Sequence, residues 1–363
     1  MISSGLMALD PAPKIVLERI RQSELKNGML PRHEVSFRVN NAGMGVPDGE
    51  LKVALLSLPS QTNRKQGVKI AITGAAGQLG SDLVSALRAR GQEVTPLTRA
   101  ELDVTDAGRM RAVLAKARPE IVINCTAENR VDDCEELLAE AFTLNAIVPG
   151  RMAAMTRELG AALLHLSTDY VFDGGQRVPY VESDTPSPLS AYGASKLAGE
   201  QLVRQRNPRH YIVRVSGLYG AAGSRGKGGN FVEAILRRAR AEGRLRVVND
   251  QTTAPTYTRD LAAGIARLIE SSPAPGLYHL AADGEATWYD FAREIVRQTG
   301  VEAEVIPIGS AELNQRARRP ACSVLRSETL APLRHWRPAL RAYLVEKAYL
   351  TSANEREMAS REQ

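Results

Sequence analysis

Between residues 68 and 215, short apolar runs alternate with longer segments whose apolar residues recur every three or four positions. The run Val68-Lys69-Ile70-Ala71-Ile72-Thr73 is short and β-branched and predicts a strand. In 78–90, Leu79, Leu83 and Leu87 fall on one stripe and predict a helix. The same reading predicts strands at 93–97, 120–124, 161–166 and 211–215. It predicts helices at 107–117, 133–160 and 190–205, with Pro149 interrupting the helix over 133–160. The strands are apolar on both faces, which is the mark of a parallel sheet covered by helices on both sides.

Beyond Ser216 the alternation becomes irregular. A glycine-rich loop over 220–229 precedes helices expected at 231–242, 259–270 and 289–300, with short strands at 246–248 and 277–280. This half reads as a smaller α+β part built on the first. Residues 1–66 follow neither pattern. Their segment 14–29 predicts a short amphipathic helix, 40–49 is rich in Gly, Asn and Pro, and 57–67 reads as a polar linker. The expected division is an N-terminal extension of unknown role (1–66), a doubly wound sheet domain (67–215), a substrate-binding region (216–350) and a polar tail (351–363).

The chain has 363 residues, 44% hydrophobic and 24% charged, which excludes a wholly disordered or fibrous protein. No run of about 18 apolar residues exists, so no membrane partner is expected. Residues 1–10 lack a basic stretch followed by an apolar one, so no secretory signal is expected. Three cysteines without paired spacing predict reduced thiols in the cytoplasm. The net charge of +6 suits an anionic small ligand as well as a nucleic acid. Nothing resembles a nucleic-acid module, however, and no nucleic-acid partner is expected.

Chemistry enters with Gly74-Ala75-Ala76-Gly77-Gln78-Leu79-Gly80, between the first strand and helix of the alternating region. Gly74 permits the tight exit from the strand, Gly77 lets backbone approach a pyrophosphate, and Gly80 lets the helix pack close to the sheet. The expected fold is therefore α/β, a Rossmann-like doubly wound parallel sheet binding NADPH or NADH. No acidic residue ends the second strand, where Arg99 could meet a 2′-phosphate or stand as a solvated charge. Asp103 could accept from the adenine amino group or cap the following helix.

A second signal is Tyr192-Gly193-Ala194-Ser195-Lys196. Residues four apart on a helix share a face, so both side chains can enter one cleft. A free phenol has a pKa of about 10. A nearby ammonium favours the phenolate, so Lys196 is expected to bring Tyr192 down while reaching the nicotinamide ribose. Upstream, 161–166 is a strand that delivers Ser167 and Thr168 at its carboxyl end, where ligands of such sheets bind. Thr168 and Tyr192 would form a two-donor clamp on a carbonyl oxygen. The cluster Arg316, Arg318 and Arg319 reads either as a solvated loop or as a clamp on a substrate diphosphate. Trp288 and Trp336 are expected in the core, as is a hydrogen-bonded His165.

Residues 68 to about 344 resemble the extended short-chain dehydrogenase/reductases, and within them the dTDP-4-dehydrorhamnose reductase family. The most specific blocks are Ser167-Thr168-Asp169-Tyr170-Val171-Phe172-Asp173-Gly174 and Pro188-Leu189-Ser190-Ala191-Tyr192-Gly193-Ala194-Ser195-Lys196-Leu197-Ala198-Gly199-Glu200. Asn249-Asp250-Gln251, Ala254-Pro255-Thr256 and Arg319-Pro320 match later motifs. The resemblance implies Thr168, Tyr192 and Lys196 as the catalytic set. It implies Gly77, Gln78 and Leu79 at the pyrophosphate. Asp103 and Val104 would lie by the adenine, Thr126, Ala127 and Glu128 beside the cofactor, and Asp169 near the substrate.

The implied activity is NAD(P)H-dependent reduction of a nucleotide-linked 4-keto-6-deoxy sugar, forming dTDP-rhamnose from the expected substrate. A homodimer is an open expectation and no metal is expected. An epimerase or dehydratase of nucleotide sugars on the same fold is the first alternative. A cofactor-binding regulatory subunit, similar to that of methionine adenosyltransferase, is the second. Two departures stand out. Asn129-Arg130-Val131-Asp132 replaces the usual Thr-Ala-Val-Asp, and Gly217 stands where the family tends to carry a Trp.

Overall fold

The computed structural model describes residues 15–22, 32–39, 49–56, 67–223 and 228–350. The chain forms two compact units, Met1–Gln66 and Gly67–Gln363. In the first, β1 (Ile15–Gln22), β2 (Arg32–Val39) and β3 (Gly49–Leu56) form an antiparallel sheet in that order. Over 15–22 the helix expected for 14–29 is thus corrected to a strand, while 14 and 23–29 lie outside the described residues. Ile15 and Val16 are β-branched, and 33–39 and 51–55 carry period-two apolar alternation that offers strand partners. The register of β1 against β2 shifts between Leu17 and Arg19, a bulge that breaks strict alternation in β1 and hides its strand period. The segment 40–48, the linker over 57–66 and the tail 351–363 lie outside the described residues.

The second unit opens with β4 (Lys69–Thr73), α1 (Gln78–Arg88), β5 (Glu93–Leu97), α2 (Ala107–Ala117) and β6 (Ile121–Asn124). Between β6 and β7 (Ala162–Thr168) lie α3 (Asp133–Glu136), α4 (Leu138–Phe142), a π-helical turn (Thr143–Ile147) and α5 (Val148–Glu158). Then come α6 (Ala191–Arg206) and β8 (His210–Val215). The sheet order is β13-β8-β7-β6-β4-β5, with β13 at Gly276–His279, and every pairing is parallel. The strand order reverses at β4, so the crevice beyond the carboxyl ends of β4 and β6 is the natural ligand site.

Side chains alternate between two cores. Ile70 and Ile72 meet Leu79, Leu83 and Leu87 of α1 on one face, together with Leu261 and Ile265. Ala71, Val122 and Leu163 meet Met110, Leu114, Met152 and Val203 on the other. All seven residues of β7 are buried.

The break expected at Pro149 falls earlier. The helical stretch is interrupted at Leu137 and again in the π turn, and Pro149 sits in the first turn of α5. Proline has no N–H for the carbonyl four residues back, which frees the Asn145 carbonyl from the helix ladder. That carbonyl points at α6, where a Cβ on Gly199 would stand 2.0 Å from its oxygen.

After β8 come β9 (Leu218–Tyr219), α7 (Phe231–Glu242), β10 (Arg244–Val248), β11 (Thr252–Thr253), β12 (Thr256–Tyr257) and α8 (Thr258–Ser271). Following β13 are β14 (Ala286–Thr287), α9 (Trp288–Thr299), β15 (Glu304–Ile308) and α10 (Trp336–Glu346). The strand expected in the smaller half at 277–280 is thus the sixth strand of the main sheet, and α8 covers that sheet beside α1. A separate aromatic core of Tyr219, Tyr257, Phe291, Trp336 and Tyr343 joins α7, α9 and α10. Trp336 is buried there as expected, whereas Trp288 is half-buried on the wall of the cleft described next.

Candidate active site

A cleft of about 1150 Å³ opens at the carboxyl ends of β4, β6 and β7. Its floor is the glycine turn. Gly74 leaves β4 at φ +69°, a conformation that favours glycine. A Cβ on Gly80 would stand 2.3 Å from the Gly74 carbonyl oxygen, so the helix can start this close to the strand only without a side chain. Gly77 is the N-cap of α1 and supplies no capping side chain, which leaves the first-turn N–H groups facing the cleft. Gln78, Leu79 and Gly80 line it as well, and Gln78 Oε1 is buried without a hydrogen-bond partner.

Arg99, Asp103 and Val104 line one end of this cleft. The Asp103 carboxylate accepts from Thr105 N at 3.0 Å and Thr105 Oγ1 at 2.7 Å, and these bonds lower its pKa. It does not cap α2. Asp106 does, accepting from Arg109 N at 2.9 Å, because its side chain stands three residues before that N–H. Thr126, Ala127 and Glu128 line the neighbouring wall. Asn124 Oδ1 holds that strand end, accepting from Thr73 Oγ1 at 2.9 Å and Thr126 N at 3.1 Å. Its Nδ2 meets His165 Nδ1 at 3.1 Å, while His165 Nε2 is buried without a partner, so that histidine is only half satisfied.

Thr168, Asp169, Tyr192 and Lys196 line the opposite wall. Ser190 caps α6 by accepting from Gly193 N at 3.2 Å. A Cβ on Gly193 would lie 2.2 Å from the Tyr170 carbonyl oxygen, so the start of α6 presses directly on the turn after β7. That contact brings Tyr192 beside Thr168, whose hydroxyl favours the phenolate. The rings of Tyr170 and Tyr192 meet edge to face at 5.9 Å.

One helical turn on, the buried Lys196 Nζ donates to the Leu166 carbonyl at 2.5 Å. Burial pulls the Lys196 amine down to about 8, against the opposing charge of Glu200. Glu200 itself lies in a buried ion pair with Arg214 at 2.7 Å. Burial also raises the Tyr192 phenol, with the Thr168 hydrogen bond only partly offsetting it. The expected lowering of Tyr192 by Lys196 is therefore corrected in this state. The amine is held at the end of β7, and desolvation of the phenol outweighs other effects.

Arg319 is not among the residues lining the cleft. Its guanidinium forks onto Asp132, at 2.7 Å and 3.2 Å, and donates to the Ala317 carbonyl at 2.9 Å. The carboxylate that holds it lies in the altered loop 129–132, and the pair ties that loop to the later chain. Arg130 lines the cleft and is itself engaged, by Glu128 at 2.8 Å and Asp133 at 2.9 Å. Gly217 has φ +55°, and a Cβ there would stand 3.1 Å from both the Ala254 carbonyl and Pro255 Cα. The place where the family tends to carry a Trp thus has a backbone conformation here that favours glycine.

Three features of the site escaped that reading. Asn145 accepts from Glu128 N at 2.9 Å and donates to Glu128 O at 2.9 Å and Ser195 Oγ at 3.0 Å, so it locks the loop after β6 to α6. A polar residue four positions before Pro149 in an apolar stretch was the available signal. Phe231 and Trp288, at the starts of α7 and α9, meet at 4.7 Å between ring centroids on the cleft wall. Ser323 joins the wall beside Asp169.

The family described as RmlD substrate binding domain matches residues 68–349. Spore coat polysaccharide biosynthesis protein SpsK of Bacillus subtilis (strain 168) is 39% identical over 284 residues, covering 77% of this chain and 98% of that one. A dTDP-4-dehydrorhamnose reductase of Streptomyces griseus is 42% identical over 281 residues, 74% of this chain and 90% of its own. Among solved structures, dTDP-4-dehydrorhamnose reductase of Bacillus anthracis str. Ames in complex with NADP superposes with a TM-score of 0.74 at 34% identity, covering 77% of this chain and 100% of that one.

Proposed function

The chain belongs to the RmlD substrate binding domain family, and from that premise we propose that it is an NAD(P)H-dependent reductase of a dTDP-linked 4-keto-6-deoxy sugar, dTDP-4-dehydrorhamnose reductase in its most specific form. The observation that carries the reading is the convergence of Thr168, Tyr192 and Lys196 on one wall of a cleft floored by the glycine turn.

The residues present fit a dinucleotide. A side chain on Gly80 would collide with the turn, the start of α1 has no side-chain cap, and Gln78 Oε1 is buried and unpartnered. Gly74, Gly77, Gln78 and Leu79 are assigned to the pyrophosphate, Asp103 and Val104 to the adenine, and Thr126, Ala127 and Glu128 to the dinucleotide's flank. Arg99, a cation lining that end, favours a 2′-phosphate and hence NADPH. The bound nicotinamide supplies the hydride that adds to the sugar's C4 carbonyl carbon.

Tyr192 donates its phenolic proton to the carbonyl oxygen, which leaves the alcohol and a phenolate. Burial keeps that phenol protonated until it is called on, as an acid requires. Lys196, in its charged form, stabilises the phenolate left behind. Thr168 orients the carbonyl oxygen, and Asp169 stands beside the sugar. Arg319 is assigned to holding the Asp132 loop against the cleft rather than to a direct diphosphate contact. The cytoplasm is the compartment assigned, on the unpaired spacing of the three cysteines in the sequence.

The test is Tyr192→Phe. It should keep NADPH binding, read by fluorescence titration, while turnover of a dTDP-4-keto-6-deoxy sugar falls by about 10²–10⁴. A variant with wild-type turnover would remove Tyr192 as the acid.

A further inference from the structure

Asp169 is buried at the turn after β7, and three hydroxyls from separate segments converge on it. Its Oδ1 accepts from Thr168 Oγ1 at 3.0 Å. Its Oδ2 accepts from Ser216 Oγ at 3.0 Å and Ser323 Oγ at 2.5 Å. The groups that favour its ionised form are these hydroxyls and its own backbone N–H, and burial outweighs them, pushing the carboxyl up to about 6.

A hydroxyl has one proton to donate. While Asp169 is ionised, the Thr168 proton is directed at Oδ1. Thr168 Oγ1 also accepts from Tyr170 N at 3.2 Å. One lone pair remains, and Thr168 lines the cleft. Thr168 then has no proton left to donate to a carbonyl oxygen in the cleft.

A proton taken from solvent by Asp169 lands on Oδ1, because Oδ2 already accepts two hydroxyls and Oδ1 only one. The new Oδ1–H donates to Thr168 Oγ1. With the Tyr170 N–H, this fills both lone pairs of Thr168, and the hydroxyl proton turns toward the cleft. Ser216 and Ser323 keep their bonds to Oδ2.

We propose that Asp169 is a positioning residue that sets the direction of the Thr168 hydroxyl, so that the cleft presents two proton donors, Thr168 and Tyr192, when the Asp169 carboxyl is protonated and one when it is ionised. The proposal rests on the reductase reading above.

The other titratable groups facing this network are distinguishable from Asp169. Tyr170 on the same turn and Tyr192 on α6 are both raised by burial, far from neutrality. Cys134, which acts on Tyr192, is raised to about 11. The Arg319–Asp132 pair lies beyond Tyr170, and it holds the Asp132 carboxylate low. Lys196 on α6 sits at about 8. His165 on β7 is lowered well below its usual range.

The experiment compares the full-length wild type with Asp169→Asn. Infrared difference spectra of the proteins without ligands, from about pH 5 to about pH 8, should show in the wild type a protonated-carboxyl component that Asp169→Asn lacks. That component should vanish with a midpoint near 6. In turnover, wild-type kcat should fall about tenfold per pH unit above the midpoint, toward a one-donor plateau about 10²–10³ lower. Asp169→Asn should lose that limb, because its amide N–H donates permanently to Thr168. Thr168→Ser should retain the limb and Thr168→Val should abolish it.

A carboxyl already ionised near pH 5, or a limb unchanged in Asp169→Asn, overturns the proposal. If the wild type reduces no keto sugar, the reductase reading fails separately. The infrared band still decides the hydrogen-bond direction: a titrating band that shifts in Thr168→Val supports it, and an unshifted or absent band overturns it.

Discussion

Gly199→Ala tests how tightly the proposed catalytic helix is located. Gly199 lies on α6, three residues after Lys196, and its missing Cβ would stand 2.0 Å from the Asn145 carbonyl oxygen. Tolerable contacts of this kind begin near ~3 Å, so α6 and the π turn must separate by roughly 1 Å. The carbonyl cannot swing back into a helix ladder, because Pro149 offers no N–H. Forced separation in a packed interior costs about 1–3 kcal/mol, or about 2–4 °C in Tm per kcal/mol for a domain of this size.

The functional cost should be larger than that. Asn145 also holds Glu128 and Ser195, so moving it displaces Tyr192 and Lys196 from the loop after β6. A misplacement of about 1 Å commonly costs about 10² in rate. Thermal melting and kcat measured on the same preparation check both numbers. Gly108→Ala is the opposite control: it sits exposed on α2, where a Cβ meets only Asp106 Oδ1 at an ordinary 3.4 Å, and it should stabilise by up to about 1 kcal/mol. Wild-type melting and turnover in Gly199→Ala would refute the packing argument.

Three further outcomes are expected. Lys196 acts in its charged form and sits at about 8, so kcat should fall as pH rises through that value. Lys196→Met should lose this limb along with most of the rate, as read from a pH–rate profile. For Asp169, burial raises the folded-state value above the ordinary 3.8 to about 6, so folding favours the protonated form. Its contribution to stability is therefore full below about 4 and is lost as pH rises through about 6. Denaturant melts of Asp169→Asn should lack this component, and an identical pH dependence in both proteins would contradict it. A chain starting at Gly67 should keep its turnover, since Gly67–Gln363 is a compact unit by itself. A large loss of kcat on truncation would give residues 1–66 a role in the reaction.

What was legible in the sequence was local. The glycine spacing, the hydroxyls at the end of β7 and the tyrosine–lysine pair each lie within a few residues, and their geometry follows from one turn or one helix. Long-range contacts were hidden. Arg319 is bonded to Asp132, 187 residues away, and neither residue advertises the other. The return of β13 to the main sheet depends on pairing with β8, which its four residues do not encode. The bulge in β1 masked strand periodicity as helical spacing. Asp103 and Asp106 are both plausible caps by type, and only backbone geometry separates them. Asn145 was missed because its three partners lie on two other segments.

The reductase account is tested most directly by counting cofactor. Purified protein is mixed with NADPH and a dTDP-4-keto-6-deoxy sugar, and cofactor loss is compared with sugar alcohol formed. The account predicts one NADPH oxidised for each alcohol. A sugar isomerised or dehydrated with the cofactor level unchanged, or cofactor bound without turnover of any keto sugar, would contradict it.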